Sequence, residues 1–283
     1  MVTLTQNSLP VELKRLPQVP NQLYLSDGHL EDLLIHPRLA IVGSRKATPY
    51  GRAVTAKLAS ELAARGVIIV SGLALGVDSI AHASCLDAGG TTIAVLPCGL
   101  DRIYPATHTD LGRRIIKSGG MIVTEYPKQT EPYQSNFLAR NRIIAALSEG
   151  VLVTEAAARS GSLNTASHAL DLGLPVLAVP GNITSPYSEG CNNLIKAGAI
   201  PVTSTDDVIK ALSWKLANAE DRVIIAGNEA ERTVLELIKQ GTSDGNTLLV
   251  LSKLETSEFN RTLTMLEITG RIRPLGANHW SLA

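Results

Sequence analysis

The first residues of this sequence that could do chemistry are arginines beside glycine-bearing turns, and the chemistry is the holding of phosphate. Arg45 closes Gly43-Ser44-Arg45, directly after the apolar run Leu39–Val42. Other apolar runs lead into Ser71-Gly72-Leu73-Ala74-Leu75-Gly76-Val77-Asp78, into Pro97-Cys98-Gly99-Leu100-Asp101 and into Glu155 to Ser162, which contains Arg159-Ser160-Gly161-Ser162. A later run leads into Pro180-Gly181-Asn182, with Ser188-Glu189-Gly190 close behind. Glycine tolerates positive φ and lets backbone approach a ligand closely. A helix that starts after such a turn presents unpaired N–H groups and a partial positive charge, which together cradle an anion.

The segment Phe137–Leu147 adds a second group. Read as a helix, its apolar residues spread around nearly the whole circumference, the pattern of a buried helix. Arg140 and Arg142 nevertheless belong to it, about 200° apart by helical geometry, so they cannot share a face. A buried guanidinium needs an anionic partner. That partner is either an internal carboxylate such as Glu155 or Asp78, or a ligand phosphate. Phe137 stands at the head of the segment in a chain with only two phenylalanines. It reads either as a core aromatic or as a stacking face, since single-strand sites pair rings for bases with cations for phosphates.

Several other chemistries are excluded by pattern. Gly72-x-x-x-Gly76 is not the G-x-G-x-x-G dinucleotide fingerprint, and no Walker lysine follows any of the turns, so no nucleotide cofactor is expected. Asp78 and His82 face each other at i and i+4, but no G-x-S-x-G elbow accompanies them and loop bracing is the expected role. No catalytic residue is assigned. Histidines lack metal-ligand spacing, and Cys85, Cys98 and Cys191 form no C-x-x-C pair, so no metal site or disulfide is expected. Lys plus Arg and Asp plus Glu are equal at 26 each, which argues against a broad basic footprint and for a localised anion pocket. Met1–Pro20 is polar and proline-containing where a signal peptide would be apolar, and no run approaches a membrane span. A cytoplasmic protein without membrane partners is expected.

The elements that must position these residues repeat as strand, loop and helix from residue 39 to 217. Strands are predicted at Leu39–Val42, Val67–Val70, Thr92–Leu96, Met121–Thr124, Val151–Thr154, Pro175–Val179 and Ala199–Val202. Helical patterns lie between them at Tyr50–Arg65, Asp78–Ala88, Thr107–Lys117, Phe137–Leu147 and Gly161–Leu172, with a closing helix at Ser204–Leu216. Continuous apolar strands separated by helices predict an α/β fold, extended and Rossmann-like, with a mostly parallel doubly wound sheet. Ligands of such sheets bind outside the carboxyl ends of the strands, where all the turns above would converge. Residues 1–38, with four prolines, read as an N-terminal arm carrying at most one short helix. Residues 218–228 read as a linker, and 229–283 as a small winged-helix-like domain of three helices and a ribbon. Its candidate recognition segment, 247–270, sets Lys253 and Arg261 against Glu255, Glu258 and Glu267. That net acidity favours protein contact or packing over duplex reading, although Arg271 and Arg273 follow in the wing.

Taken in order, these residues resemble the DNA-processing protein A (DprA/Smf) family. The resemblance is carried by Ile41-Val42-Gly43-Ser44-Arg45 with Thr48-x-Tyr50-Gly51, and by Ser71-Gly72-x-Ala74-x-Gly76-x-Asp78 with Ala81-His82. It continues through Gly99-Leu100-Asp101 with Ile103-Tyr104-Pro105, Arg140-Asn141-Arg142-Ile143-Ile144-Ala145, and Glu155-Ala156 with Ser160-Gly161-Ser162-x-x-Thr165-Ala166. Val179-Pro180-Gly181 and Gly190-x-Asn192-x-Leu194-Ile195-x-x-Gly198-Ala199 complete it. Phe137-Leu138 departs from the family's Phe-Pro, and the helical N-terminal domain of many members is absent or reduced to 38 residues. The resemblance implies a homodimeric single-stranded-DNA-binding protein that protects incoming DNA in natural transformation and helps load the RecA recombinase. It also implies a pocket of Ser44, Arg45, Gly72, Ala74, Gly76, Phe137, Arg140, Ser160, Gly161 and Ser162, to which the buried-helix argument adds Arg142. The alternative is a nucleoside-monophosphate phosphoribohydrolase of the related lysine-decarboxylase-like families. Its P-G-G-x-G-T-x-x-E motif fails here, where Pro180-Gly181 is followed by Asn182. A third reading is an adaptor with vestigial DNA binding.

Overall fold

The computed structural model describes residues 2–216, 229–268, 272–276 and 278–282. The expected linker 218–228 and Arg271 of the expected wing lie outside the described residues. Two compact units divide the chain, Met1–Leu216 and Ala217–Ala283.

In the first unit, short runs of β-branched and leucine residues form strands because both of their faces are buried. Strands β3 (Arg38–Val42), β4 (Ile68–Ser71), β5 (Thr92–Val95), β6 (Met121–Thr124), β7 (Val151–Val153) and β8 (Val176–Ala178) contain only buried residues. Period-2 alternation then sorts the side chains. Leu39 and Ile41 of β3 belong to one core with Leu58, Leu62 and Ala81. Ala40 and Val42 belong to the core on the opposite face, with Ile143, Ile144 and Ala166. The helices covering the first face are α3 (Pro49–Ala64), α4 (Val77–Asp87) and α9 (Thr205–Ala211). Those covering the second include α6 (Gln134–Ala146), α7 (Ser162–Asp171) and α8 (Glu189–Lys196). Helix α5 (Thr109–Lys117) closes a smaller cluster around Ile115 and Ile122.

With β1 (Val2–Thr5), β2 (Gln22–Leu25) and β9 (Ile200–Pro201), the sheet has nine strands in the order β1-β2-β6-β5-β4-β3-β7-β8-β9. From β6 to β9 every pairing is parallel. The order reverses between β3 and β7. This is a Rossmann-like doubly wound sheet, and its crevice falls at that switch point.

Residues 1–38 correct the expectation of an arm. They form an antiparallel hairpin-like pair, β1 with β2, and β2 pairs antiparallel with β6. Helices α1 (Val11–Lys14) and α2 (Leu30–Leu34) accompany them. Leu9, Leu13, Leu16, Leu23, Leu25 and Leu30 are all buried in the main core, and each such leucine stabilises by about 1.5–3 kcal/mol. The prolines stand at junctions, Pro10 capping α1 for example. Helix α9 also stops earlier than the expected Leu216, because Ser213 takes positive φ (52°) and turns the chain.

The second unit runs α10 (Glu229–Lys239), α11 (Gly245–Ser252), α12 (Thr256–Ile268), then β10 (Ile272–Gly276) antiparallel to β11 (His279–Leu282). This is the winged-helix order. Its core gathers Val234, Leu235, Leu248, Phe259, Leu263, Leu266 and Ile272. Asp244 caps α11 by accepting from the Thr247 N–H at 2.8 Å.

Candidate nucleic-acid interface

The cleft of the first unit lies at the carboxyl ends of β3, β4 and β7, as the switch point dictates. Its volume is about 590 Å³, within the range of formed ligand sites.

The loop after β3 is pinned to the end of β7. Ser44 N–H donates to the Glu155 carbonyl at 2.7 Å, and Thr48 N–H donates to the Glu155 carboxylate at 2.8 Å. Glu155 is thus a buried carboxylate satisfied by the Thr48 backbone, not the partner of a buried arginine. With its backbone held, Arg45 extends an exposed guanidinium over the Phe137 ring, 4.7 Å from the centroid. No ion pair engages Arg45 among the described residues. Tyr104 meets the same ring edge-on, with centroids 5.5 Å apart. Cation, ring and ring therefore form one continuous wall.

The loop after β4 forms the floor. Gly76, at φ 80°, starts α4, and a Cβ there would press into the Ser44 and Arg45 backbone. Only glycine allows the two loops to meet so closely. Gly72 donates its N–H to Asp78 at 3.1 Å and accepts from Arg140 Nη1 at 2.7 Å. Arg140 also donates to the Val95 carbonyl. Burial lowers the Arg140 pKa to about 10, with Asp78 acting in the opposite direction, so the guanidinium stays charged at neutral pH. Burial raises the Asp78 carboxyl, and Arg140 opposes that rise.

The loop after β7 supplies the third side. Ser160 N–H donates to Ala157 O at 3.1 Å, and the hydroxyls of Ser160 and Ser162 are 2.7 Å apart. Ser162 begins α7, so that helix's partial positive charge opens into the cleft. Asn141 of α6 donates to Gly161 O at 3.3 Å and to Asn164 Oδ1 at 3.2 Å, tying the two helices together.

Of the residues expected in the site, the cleft is lined by Ser44, Arg45, Ala74, Phe137, Arg140, Ser160, Gly161 and Ser162. Gly72 and Gly76 lie behind its surface as supports. Arg142 is not brought there. Its guanidinium forms a two-pronged pair with Glu125, at 2.6 and 2.7 Å, and donates to Gln18 O at 3.1 Å. Gly99 packs against the 127–128 backbone and Gly181 against Ser188, both outside the cleft lining. Sequence reasoning gave no role to Tyr104, Gln134, Asn141 or Thr165, all of which line the cleft. For Tyr104, Asn141 and Thr165 a signal existed, since all three sit in segments that carried the resemblance.

His82 is buried beneath the floor. Thr92 gives its proton to the Ile69 carbonyl (2.5 Å), so His82 Nδ1–H donates to Thr92 Oγ1 at 2.7 Å. Burial pulls the His82 pKa down to about 3, with Arg140 and His108 adding to the effect. The ring is neutral at physiological pH and has no free path to a proton-transfer role.

Sheet order and cleft position together define a Rossmann-like protein whose polar cleft sits at the switch point. The family described as DNA recombination-mediator protein A matches residues 1–213. The chain belongs to that family. A DprA-type DNA processing protein of Mycobacterium tuberculosis is 42% identical over 243 residues, 83% of this chain. The chain spans 62% of that relative's length. The structure of DNA processing protein A from Streptococcus pneumoniae superposes with a TM-score of 0.68 at 38% identity, covering 74% of this chain and 73% of that one. DNA processing protein A from Helicobacter pylori, studied for its single-stranded DNA binding mode, superposes with a TM-score of 0.68 at 35% identity. That match covers 76% of this chain and 97% of the other.

Proposed function

We propose that the cleft binds single-stranded DNA, and that the protein thereby protects incoming strands and presents them to the RecA recombinase, working as a homodimer. The observation that carries this reading is the wall made by Arg45, Phe137 and Tyr104 opposite the start of α7. A guanidinium and a helix N-terminus offer two anchors for phosphate, while the rings offer apolar faces to bases. An unpaired strand can present phosphate and base to such a wall together; a duplex hides its base faces. The single-stranded-DNA mode studied in the Helicobacter pylori relative supports the same reading.

No catalytic step is proposed. Asp78 braces Gly72, whereas His82, enclosed and uncharged, bonds Thr92 of β5, so neither member of the i,i+4 pair is given a catalytic role. The phosphoribohydrolase alternative has no favouring observation.

Fluorescence anisotropy with a short oligothymidine, at fixed salt because phosphate contacts are salt-dependent, tests the proposal. Arg45→Ala is expected to weaken binding by about 10- to 100-fold, as for loss of one charged contact with its ring. Its melting temperature should stay within about 2 °C of the parent, as for an exposed residue without an ion pair. Equal affinity of variant and parent would remove Arg45 from the interface.

A further inference from the structure

Beyond the rim formed by residues 157–160, the carboxyl edge of the sheet carries a second group of large exposed side chains. Tyr50 is 49% exposed, Tyr187 43% and Ile183 92%. Scattered exposed apolar residues are ordinary; these three are not scattered. Tyr50 donates its hydroxyl to the Pro180 carbonyl at 2.7 Å, which ties it to the loop that bears Ile183 and Tyr187. That loop is held rigidly. Asn192 accepts from Gly181 N–H at 3.2 Å and donates back to Gly181 O at 3.1 Å. Asn182 and Ser185 carbonyls accept from Ser185 and Ser188 N–H groups, and Gly181 packs directly on Ser188.

The group is continuous with the cleft. Gly190, at the start of α8, donates its N–H to Ala156 O at 2.8 Å, and a Cβ there would lie 2.6 Å from Ala157 O. Ala157 and Ser160 line the cleft, and between them stands Arg159, exposed and without an ion pair among the described residues. Passing outward from Phe137, the surface therefore offers ring, cation, rim, cation, and rings again.

We infer that Tyr50 and Tyr187 form a second base-stacking platform for the same strand, with Arg159 holding a phosphate where the strand crosses the rim. The inference rests on the cleft being a single-strand site. A loop fixed by hydrogen bonds presents rings at low entropic cost, and stacking is tolerant of sequence because every base has a π-face. Continuity with the cleft and the intervening cation select a polyanionic strand as the occupant.

The test uses the full chain with oligothymidines of about 4 and about 20 nucleotides, bracketing common single-strand site sizes. Tyr187→Ala and Tyr50→Ala should each leave the short oligomer's affinity unchanged and weaken the long one about tenfold, as for loss of one stacked base. Tyr187→Phe should restore it. Unchanged long-oligomer binding in both alanine variants, while Arg45→Ala loses both lengths, would overturn the platform and leave the cleft reading intact. Failure of the parent to bind either length would overturn both. A change of oligomeric state in Tyr187→Ala, measured by sedimentation, would identify the patch as a contact between copies and overturn the platform as well.

Discussion

Three arginines of similar appearance in the sequence have three different situations, and each predicts a different mutant. Arg45 is exposed and stacked, so its loss should be felt by ligand and not by fold. Arg140 is buried, bonded to two backbone carbonyls and near Asp78. Removing one member of such a buried arrangement costs about 3–5 kcal/mol, so Arg140→Ala should lower the denaturation midpoint sharply. Urea titration checks this; a midpoint like the parent's would show that the floor does not depend on it. Arg142 is held by Glu125 on the other side of α6. Arg142→Ala should destabilise but leave the oligonucleotide affinity of the folded fraction unchanged. That the arginines of α6 diverge was readable from periodicity, but its burial was overread: the helix is buried only from Arg140 onward, and Leu138 is exposed. Which carboxylate each would find was not, because the path of the 125–133 loop between β6 and α6, which brings Glu125 back against Arg142, is set by packing and not by periodicity. His82 adds a pH dependence. Its folded pKa lies near 3, below the ordinary 6.5, so the unfolded chain binds the extra proton between those values. Stability is fully present above about 6.5 and falls by roughly 1.4 kcal/mol per pH unit below it. Stability profiles of the parent and His82→Gln over that window should differ in slope; identical slopes would refute the assignment.

At the scale of elements, the parallel strands β3 to β8 were legible because each is a short, largely apolar run buried on both faces, flanked by a glycine-bearing turn. The N-terminal segment was not. Its strands are four residues long, its helices four and five, and neither period has room to declare itself. Its six buried leucines, distributed over turns, short helices and one strand, gain their meaning only against the sheet. Loop geometry was half legible: glycine positions marked the turns, yet only packing separates those that line the cleft from those that support it. Gly76 is the sharpest case. At φ 80° and ψ −127°, with Ser44 and Arg45 backbone pressed against it, a side chain meets both strain and collision. Gly76→Ala should therefore reduce oligonucleotide binding more than the exposed Gly161→Ala, whose added Cβ would meet nothing within 4 Å. Anisotropy on both variants, with circular dichroism to confirm folding, distinguishes them.

Across the whole molecule, the division after Leu216 leads us to propose that residues 1–216 fold and bind alone. A chain ending there should melt in one cooperative step and keep the parent's affinity for a short oligomer. A large loss of affinity would assign part of the interface to the second unit. Among the described residues no helix is long and apolar enough to cross a membrane, and no group of ligating side chains could hold a metal.

Ser44 and Glu155, whose contact fixes the rim, are joined across two adjacent strands that stand far apart in sequence. Such a cleft has no precursor in the partly made protein. A ribosome-bound chain must extrude past α7 and complete the reversal of strand order before the two halves can meet. Oligonucleotide capture is therefore expected to appear only with the folding of this unit. An oligomer at a hundred times its Kd should protect the unit against heat by about 2.7 kcal/mol, and no fragment stopping short of β7 should retain a weakened version of the same grip.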